Sequence, residues 1–256
     1  MMTHVRQRLH ARSTALLMTI ETGLPRIMIG WLVVAALASA LRVAASPLHG
    51  TVPVTTLLPY LLLVLAPLGS MVLALRWFAD GDRLAQPETR FARVLRWTDV
   101  SRETAMRHPL YGTSGIMVSL LVGMLLNVPV RGAEYLASMP ALAGPIPHWL
   151  QTLHTLMTLD VVLLSSLYAI AFVAALRRVP LFPRLLVAIW MIDLAMQMVT
   201  ARMVAGTPGL PVSVAAPLQL LLDGNVKKVL ISIGLWLPYL LLSARVNVTY
   251  RHRIAD

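Results

Sequence analysis

Two aspartates lie inside long apolar segments of this chain, where an ionisable side chain needs a physical explanation. Asp193 lies near the middle of one segment, and Gln197 follows four residues later on the same helical face. Asp160 lies in the outer third of the segment before it. An Asp at the centre of a membrane helix costs about 2.5 to 3.5 kcal/mol on insertion scales. Asp193, Gln197 and Asp160 are therefore the candidate intramembrane polar site.

Two interpretations of this site stay open. The three side chains could bind a proton or a cation, with help from Asn127 on a neighbouring helix. Alternatively, a protonated Asp193 could form hydrogen bonds across a helix interface and stabilise the packing. We favour packing slightly, because transporters usually contain more than one deep charge. Arg202 is half a turn out of phase with Asp193, so the partner of Asp193 must lie elsewhere.

Other chemistry is poorly supported by the residue types. The chain has no Cys, which excludes disulfides and thiolate metal sites. The methionines of the fifth apolar run point around the whole helix axis, which disfavours a Cu(I) site. There is no paired His motif, no phosphate-binding Gly loop and no G-x-S-x-G. We therefore predict no metal, no cofactor and no enzymatic activity; an enzyme would need His108, Asp99 and Glu103 to cluster.

The composition is that of an integral membrane protein. Hydrophobic residues make up 57% of the 256 residues and charged residues only 13%, with a mean hydropathy of +0.73. Soluble domains are about 25% charged. The net charge of +11 does not require nucleic acid, because cytoplasmic loops of membrane proteins are rich in Lys and Arg.

Six apolar runs are long enough to span a bilayer. They are Ile27 to Ala45, Val54 to Leu75, Ser114 to Val130, Leu153 to Leu176, Pro183 to Val204, and Val226 to Ala244. With the N-terminus inside, 17 of the 22 Lys and Arg fall on the cytoplasmic side, and Arg131 is one of the five outside. The pattern predicts an all-α protein with six transmembrane helices and both termini in the cytoplasm. The first span is a signal anchor by its length and its charged lead.

The loops add one interfacial helix and two short apolar segments. Residues Glu88 to Met106 alternate apolar residues with Arg90, Arg93 and Arg96, which is typical of a helix at an anionic leaflet and equally of a solvated linker. These three arginines are the candidate contacts to lipid or to a protein partner. Residues 133–149 and 212–222 are too short to span, and we expect surface caps rather than re-entrant segments.

The last span ends in a compact motif of Trp236, Pro238, Tyr239, Ser243 and Arg245. Pro238 predicts a kink, and the aromatic residues and Arg245 predict an anchor at the inner interface. The pattern W-x-P-Y, three residues, then S-x-R-V and a Thr-aromatic pair resembles an uncharacterised family of bacterial inner-membrane proteins with four spans. The resemblance covers about residues 111–250, including Arg177 to Pro183. Ala244 and Tyr250 depart from the family pattern, in which Lys and Phe are common.

The resemblance implies a bacterial inner-membrane location and a domain seam near Arg107. We expect a cytoplasmic lead (1–25), a transmembrane hairpin (26–76), a basic loop (77–110), a four-helix membrane domain (111–250) and a tail (251–256). The leading hypothesis for function is a non-enzymatic accessory or assembly subunit that contacts anionic inner-leaflet lipids and a protein partner. The alternative is a small secondary transporter or channel that uses Asp193. A homo-oligomer is compatible with the small residues at Ala36 and Ala40.

Overall fold

A computed structural model describes residues 2–46, 53–89 and 96–255, with side chains from residue 11 onward. The predicted fold is confirmed: the described chain is predominantly helical, and six helices are long and apolar enough to cross a membrane. These helices are α1 (Met2–Ala44), α2 (Val54–Trp77), α4 (Ile116–Ser138), α5 (His148–Leu176), α6 (Phe182–Ala205) and α7 (Val212–Leu242). The protein is therefore a multi-pass membrane protein, and six crossings leave its two ends on one side, which we call the terminal face.

Small elements cover the terminal face. A 3-10 turn (Gly81–Arg83) follows α2, and α3 (Arg102–Arg107) precedes α4. The C-terminal end adds α8 (Ala244–Arg251) and β2 (Arg253–Ala255). β2 pairs antiparallel with β1 (Trp97–Asp99), with Thr98 opposite Ile254. The pairing thereby joins the chain before the last four spans to the chain after them.

The strand β1 corrects the prediction of a helix from Glu88 to Met106. Arg90 and Arg93 lie outside the described residues, and Arg96 is exposed in non-helical chain just before β1. Trp97 and Thr98 favour an extended backbone, and the C-terminal strand supplies their partner. Ser101 then begins a new helix, because its Oγ accepts a hydrogen bond from Thr104 N at 3.2 Å.

The helix α5 is the centre of the bundle. In its most apolar window 67% of the residues are buried, against 11% in α1 and in α7. α2 and α4 pack on α5 along much of their length, and α6 packs on its other side. The helices α1 and α7 therefore lie at the periphery, where most of their surface faces lipid.

Several spans are longer than the sequence predicts. α1 begins at Met2, far before Ile27, so the expected N-terminal lead is helical and continuous with the first span. α4 continues through Arg131 to Ser138, because carboxylates of other helices pair with that charge. α7 includes the short segment 212–222 and runs through Pro217 and Pro238. Proline is tolerated in membrane helices when neighbouring groups satisfy the freed backbone. The segment 212–222 is therefore continuous with the helix of the last span and not a separate element.

The chain between α4 and α5 lies across the other ends of α1 and α2. Its backbone oxygens accept hydrogen bonds from Arg42 Nε (to Met139, 3.0 Å) and from Thr56 Oγ1 (to Leu142, 2.8 Å). Ala141 N donates to Ser46 Oγ at 2.9 Å. These bonds satisfy irregular backbone at the end of the bundle, as an apolar environment requires.

Candidate functional site

A polar layer crosses the bundle between two apolar cores. One core lies toward the terminal face and includes α5 from Leu164 onward, and the other includes α5 up to Val161. Between them, four helices contribute polar side chains to one cluster. Its members are Asn127 and Arg131 of α4, Asp160 of α5, Asp193 and Gln197 of α6, and Asn225 of α7.

Arg131 connects the two aspartates. Its Nη1 donates to Asp160 Oδ2 at 2.9 Å, and its Nη2 forms a salt bridge with Asp193 Oδ2. Its Nε donates to Asn127 Oδ1, also at 2.9 Å, one turn earlier in α4. The planar guanidinium therefore serves three acceptors at once, a geometry that Lys could not reproduce.

Gln197 joins the same carboxylates from the opposite side. Its Nε2 donates to Asp160 Oδ1 at 3.0 Å and approaches Asp193 Oδ1 at 3.4 Å. Its Oε1 accepts from Asn225 Nδ2 at 3.4 Å. Tyr168 completes the site: its hydroxyl donates to Asp193 Oδ2 at 3.4 Å, and its ring centroid lies 5.9 Å from Arg131 Cζ.

These groups are deeply buried. Asp193 is 0% exposed, Gln197 3% and Asp160 8%, and the Arg131 side chain retains 11%. Asp193 is the twelfth of the 24 residues of α6, so the cluster lies near mid-span. Isolated charges there would be very costly. The cluster holds one guanidinium and two carboxyl groups, so its net charge is −1 when both carboxyls are ionised and zero when one carries a proton.

The voids that the described residues leave beside the cluster are small. One of about 50 Å³ is lined by Arg131, Tyr168, Asp193 and Asn225, and one of about 10 Å³ by Arg131, Asp160 and Tyr135. Volumes of this kind must reach about 10 to 15 Å³ to hold one water molecule. The two voids therefore have room for water molecules or for a small ion.

A second ion pair lies beyond the cluster, toward the face opposite the termini. Lys228 of α7 pairs with Glu134 of α4 and also donates to Asn225 Oδ1 at 3.3 Å. Both side chains are partly exposed, Lys228 by 58% and Glu134 by 32%. Asn225 thus contacts both Gln197 and Lys228, which makes a polar route from the exposed pair to the buried cluster.

Sequence reasoning selected Asp193, Gln197 and Asp160, and the structure brings these three together. Arg131 was not among the predicted site residues. The apolar run of the third span ends at Val130, and Arg131 was therefore expected at the outer surface. The available signal was the i, i+4 spacing of Asn127 and Arg131, which continues the helical face past that boundary. Arg202 is exposed in the last turn of α6, away from Asp193 in helical phase.

Two of the three residues that an enzyme would need, Asp99 and His108, have contacts of their own. Asp99 pairs with Arg253 at 3.1 Å, and His108 Nδ1 accepts from Leu110 N at 3.1 Å. Glu103 lies in the first turn of α3. Within the described ranges, no three His, Cys, Asp or Glu side chains come together as a set that could hold a metal ion.

The C-terminal motif binds the elements of the terminal face together. Ser243 separates α7 from α8, and the α8 side chains contact the chain before α4. Arg245 Nη1 donates to Ser114 Oγ at 2.8 Å, and Gly112 N donates to Thr249 Oγ1 at 3.0 Å. Tyr250 donates its hydroxyl to the Ala175 carbonyl at 2.8 Å. Arg245 therefore connects parts of the protein, and its anchoring at the inner interface stays a prediction.

Trp236 and Tyr239 pack against each other edge to face, with ring centroids 5.9 Å apart. They flank Pro238, through which α7 remains helical.

Comparisons with known proteins add no relative. No family model, no curated protein and no solved structure matches this chain. The class that fold and site define is therefore a multi-pass helical membrane protein with a buried Arg–Asp–Asp cluster. The resemblance of the C-terminal motif to a four-span bacterial family stays a prediction.

Proposed function

We propose that this protein is a small, non-enzymatic secondary transporter or channel of the bacterial inner membrane that moves protons through the Arg131–Asp160–Asp193 cluster. The observation that carries the proposal is the charge of the cluster: one buried guanidinium is shared by two carboxylates near mid-span. Intramembrane carboxylates that face the bundle interior are typical of proton and ion pathways. The main argument for a packing role was that transporters usually contain more than one deep charge. The cluster contains three deep charges where two acids were expected, so that argument no longer applies.

The cluster can take up one proton without moving an uncompensated charge into lipid. With both carboxyls ionised, Gln197 Nε2 and the Tyr168 hydroxyl donate hydrogen bonds to the carboxylates and stabilise the extra negative charge. With one carboxyl protonated, Arg131 and the other carboxylate form a neutral pair. The added proton makes one carboxyl oxygen a donor, and the Tyr168 hydroxyl, which can donate or accept, is the acceptor next to Asp193. The small voids beside the cluster also suit a proton or hydronium better than a larger ligand.

The test is proton flux into proteoliposomes that contain the full-length protein and a trapped pH indicator. We expect Asp193→Asn to lower flux at least about tenfold, because an amide cannot ionise. Folding should persist, because the amide would keep a hydrogen-bonding side chain at this position while Arg131 and Asp160 form a neutral pair. The matched control is Asp223→Asn, which removes a carboxyl from an exposed position of α7.

Equal flux in Asp193→Asn and the wild type would contradict the proposal. So would wild-type flux no greater than that of empty liposomes. Loss of flux in Asp223→Asn as well would also contradict it, because the effect would not be specific to the cluster.

The second candidate is the accessory subunit that the sequence favours. The observation in its favour is Arg96, which is exposed beside β1 on the terminal face and available to an anionic leaflet or an acidic partner. Arg90 and Arg93, the other two arginines of that hypothesis, lie outside the described residues. The proteoliposome experiment separates the two candidates, since an accessory subunit conducts no protons by itself.

A further inference from the structure

The terminal face contains a second polar site, whose lining residues include no member of the buried cluster. A pocket of about 80 Å³ lies among the chain after α2, the β1–β2 pair and the turn between α5 and α6. Its polar lining consists of Gln86, Asp99, Arg184, Arg251, His252 and Arg253. Three arginines face one carboxylate, so the pocket carries an excess of positive charge.

Two donors in this pocket have no acceptor among the described residues. The Arg253 side chain is only 3% exposed, and its Nε donates to Asp99 Oδ1 at 3.1 Å. Its Nη1 is buried and has no hydrogen-bonding partner in the described part of the chain, and the same holds for Gln86 Nε2. A buried donor without a partner costs about 1 to 3 kcal/mol, more for a charged group. Two such donors on residues that line one pocket favour an acceptor bound beside them.

The local backbone brings the arginines to one place. His252 adopts a left-handed conformation with φ of 50°, so α8 ends and β2 begins within a single residue. Arg251 and Arg253 on either side of it consequently line the same pocket. Arg251 is held by Leu240 O at 2.7 Å and Asn247 Oδ1 at 3.1 Å.

The electrostatics of the pocket favour binding of an anion. Burial, with the charges of Arg253 and Arg184, lowers the pKa of Arg251 to about 10. Burial and the nearby Arg102 also lower the pKa of His252, although Asp82 opposes this. An anion among these groups would relieve the mutual repulsion of the arginines.

We propose that this pocket binds a phosphate group. Arg184, Arg253 and Gln86 all line the pocket and carry side-chain donors, which suit an oxyanion with several acceptor oxygens. Arg is also well suited to phosphate. Pro180 of the pocket lies in the turn between α5 and α6, and Pro183 lies in the first turn of α6, so the pocket lies at the end of the transmembrane bundle. The phosphate can therefore come from an anionic lipid headgroup or from a soluble phosphate. The inference is independent of proton transport.

The experiment uses the full-length protein in nanodiscs and two probes. Equilibrium dialysis with labelled inorganic phosphate in phosphatidylcholine nanodiscs measures the soluble source. Native mass spectrometry after reconstitution with phosphatidylglycerol counts tightly retained lipid. The variants are Arg253→Gln and Arg184→Gln; the second keeps the Arg253–Asp99 pair if the first fails to fold. Arg83→Gln is the control, because Arg83 lies on the same face, is 68% exposed and does not line the pocket.

We expect Arg184→Gln and folded Arg253→Gln to weaken binding at least about fivefold and Arg83→Gln to leave it unchanged. Saturable phosphate binding with this pattern supports the site and a soluble ligand. Retention of one phosphatidylglycerol, lost in Arg184→Gln, supports the site and a lipid ligand. Absence of both kinds of binding, or an equal loss in Arg83→Gln, overturns the proposal.

Discussion

At the residue scale, Arg131 decides whether the buried acids are compatible with the bundle. A charged pair in a low-dielectric interior persists only when hydrogen bonds satisfy the remaining donors and acceptors. Arg131 meets this condition through Asp160, Asp193 and Asn127, while Gln197 serves the other carboxylate oxygens. Each member of the cluster thus depends on the others, and their contributions to stability should not add.

We expect Arg131→Gln to destabilise the protein by about 3 to 5 kcal/mol, because two facing carboxyl groups lose the guanidinium that they share. The triple variant Arg131→Gln/Asp160→Asn/Asp193→Asn should recover most of this loss, since amides are neutral and still form hydrogen bonds. Unfolding in detergent, followed by loss of helical signal, measures both. Purely additive losses would show that the three side chains do not act as one cluster.

At the element scale, the short chain after α2 packs tightly on the turn between α5 and α6. A Cβ at Gly81 would lie 2.7 Å from the Arg177 carbonyl oxygen and 2.7 Å from a Val179 methyl group. A backbone oxygen cannot withdraw as a side chain can. Arg178 in this turn has φ of 56°, so the turn already uses a backbone conformation that non-glycine residues seldom adopt.

Gly81→Ala should therefore destabilise the protein by about 1 to 3 kcal/mol through overpacking. The control is Gly69→Ala in α2, where an added Cβ meets nothing within 4 Å and the residue is helical. That substitution should stabilise the helix by up to about 1 kcal/mol, because alanine has the higher helix propensity. Melting temperatures of the two variants in one detergent give the comparison, and a stable Gly81→Ala would refute the close packing.

At the scale of the whole molecule, the N-terminal hairpin shares its core with the remaining spans. Met71 and Ala74 of α2 lie in the same apolar cluster as the terminal-face half of α5. Hydrogen bonds also join the two parts, from Arg42 and Tyr60 to the Met139 carbonyl and from Gly115 N to Ser13 Oγ. Helices in lipid associate through packing and such bonds, because burial from lipid gives little hydrophobic gain.

We expect residues 108–256, expressed without the hairpin, to be degraded or to melt well below the intact protein. Co-expression of residues 1–107 as a separate chain should restore a stable complex, because the contacts need no covalent link. Protease resistance in membranes and co-purification of the two fragments provide the readout. A stable fragment 108–256 would instead support the seam near Arg107 that the sequence suggested.

Sequence alone determined the local and one-dimensional properties of this protein. Apolar runs of bilayer length identified six spans, since hydrophobic length is the sum of local residue properties. The spacing of Asp193 and Gln197 placed both on one helical face for the same reason.

Only the tertiary structure decided which helices face each other. It placed Arg131 inside a span that charge alone seemed to end, because the cost of burying a cation depends on carboxylates 29 and 62 residues away. It also converted part of a predicted surface helix into β1, because the partner strand lies 154 residues later at Arg253. A buried charge such as that of Arg131, or a short strand such as β1, is stable only next to its partner. The fold determines where that partner lies.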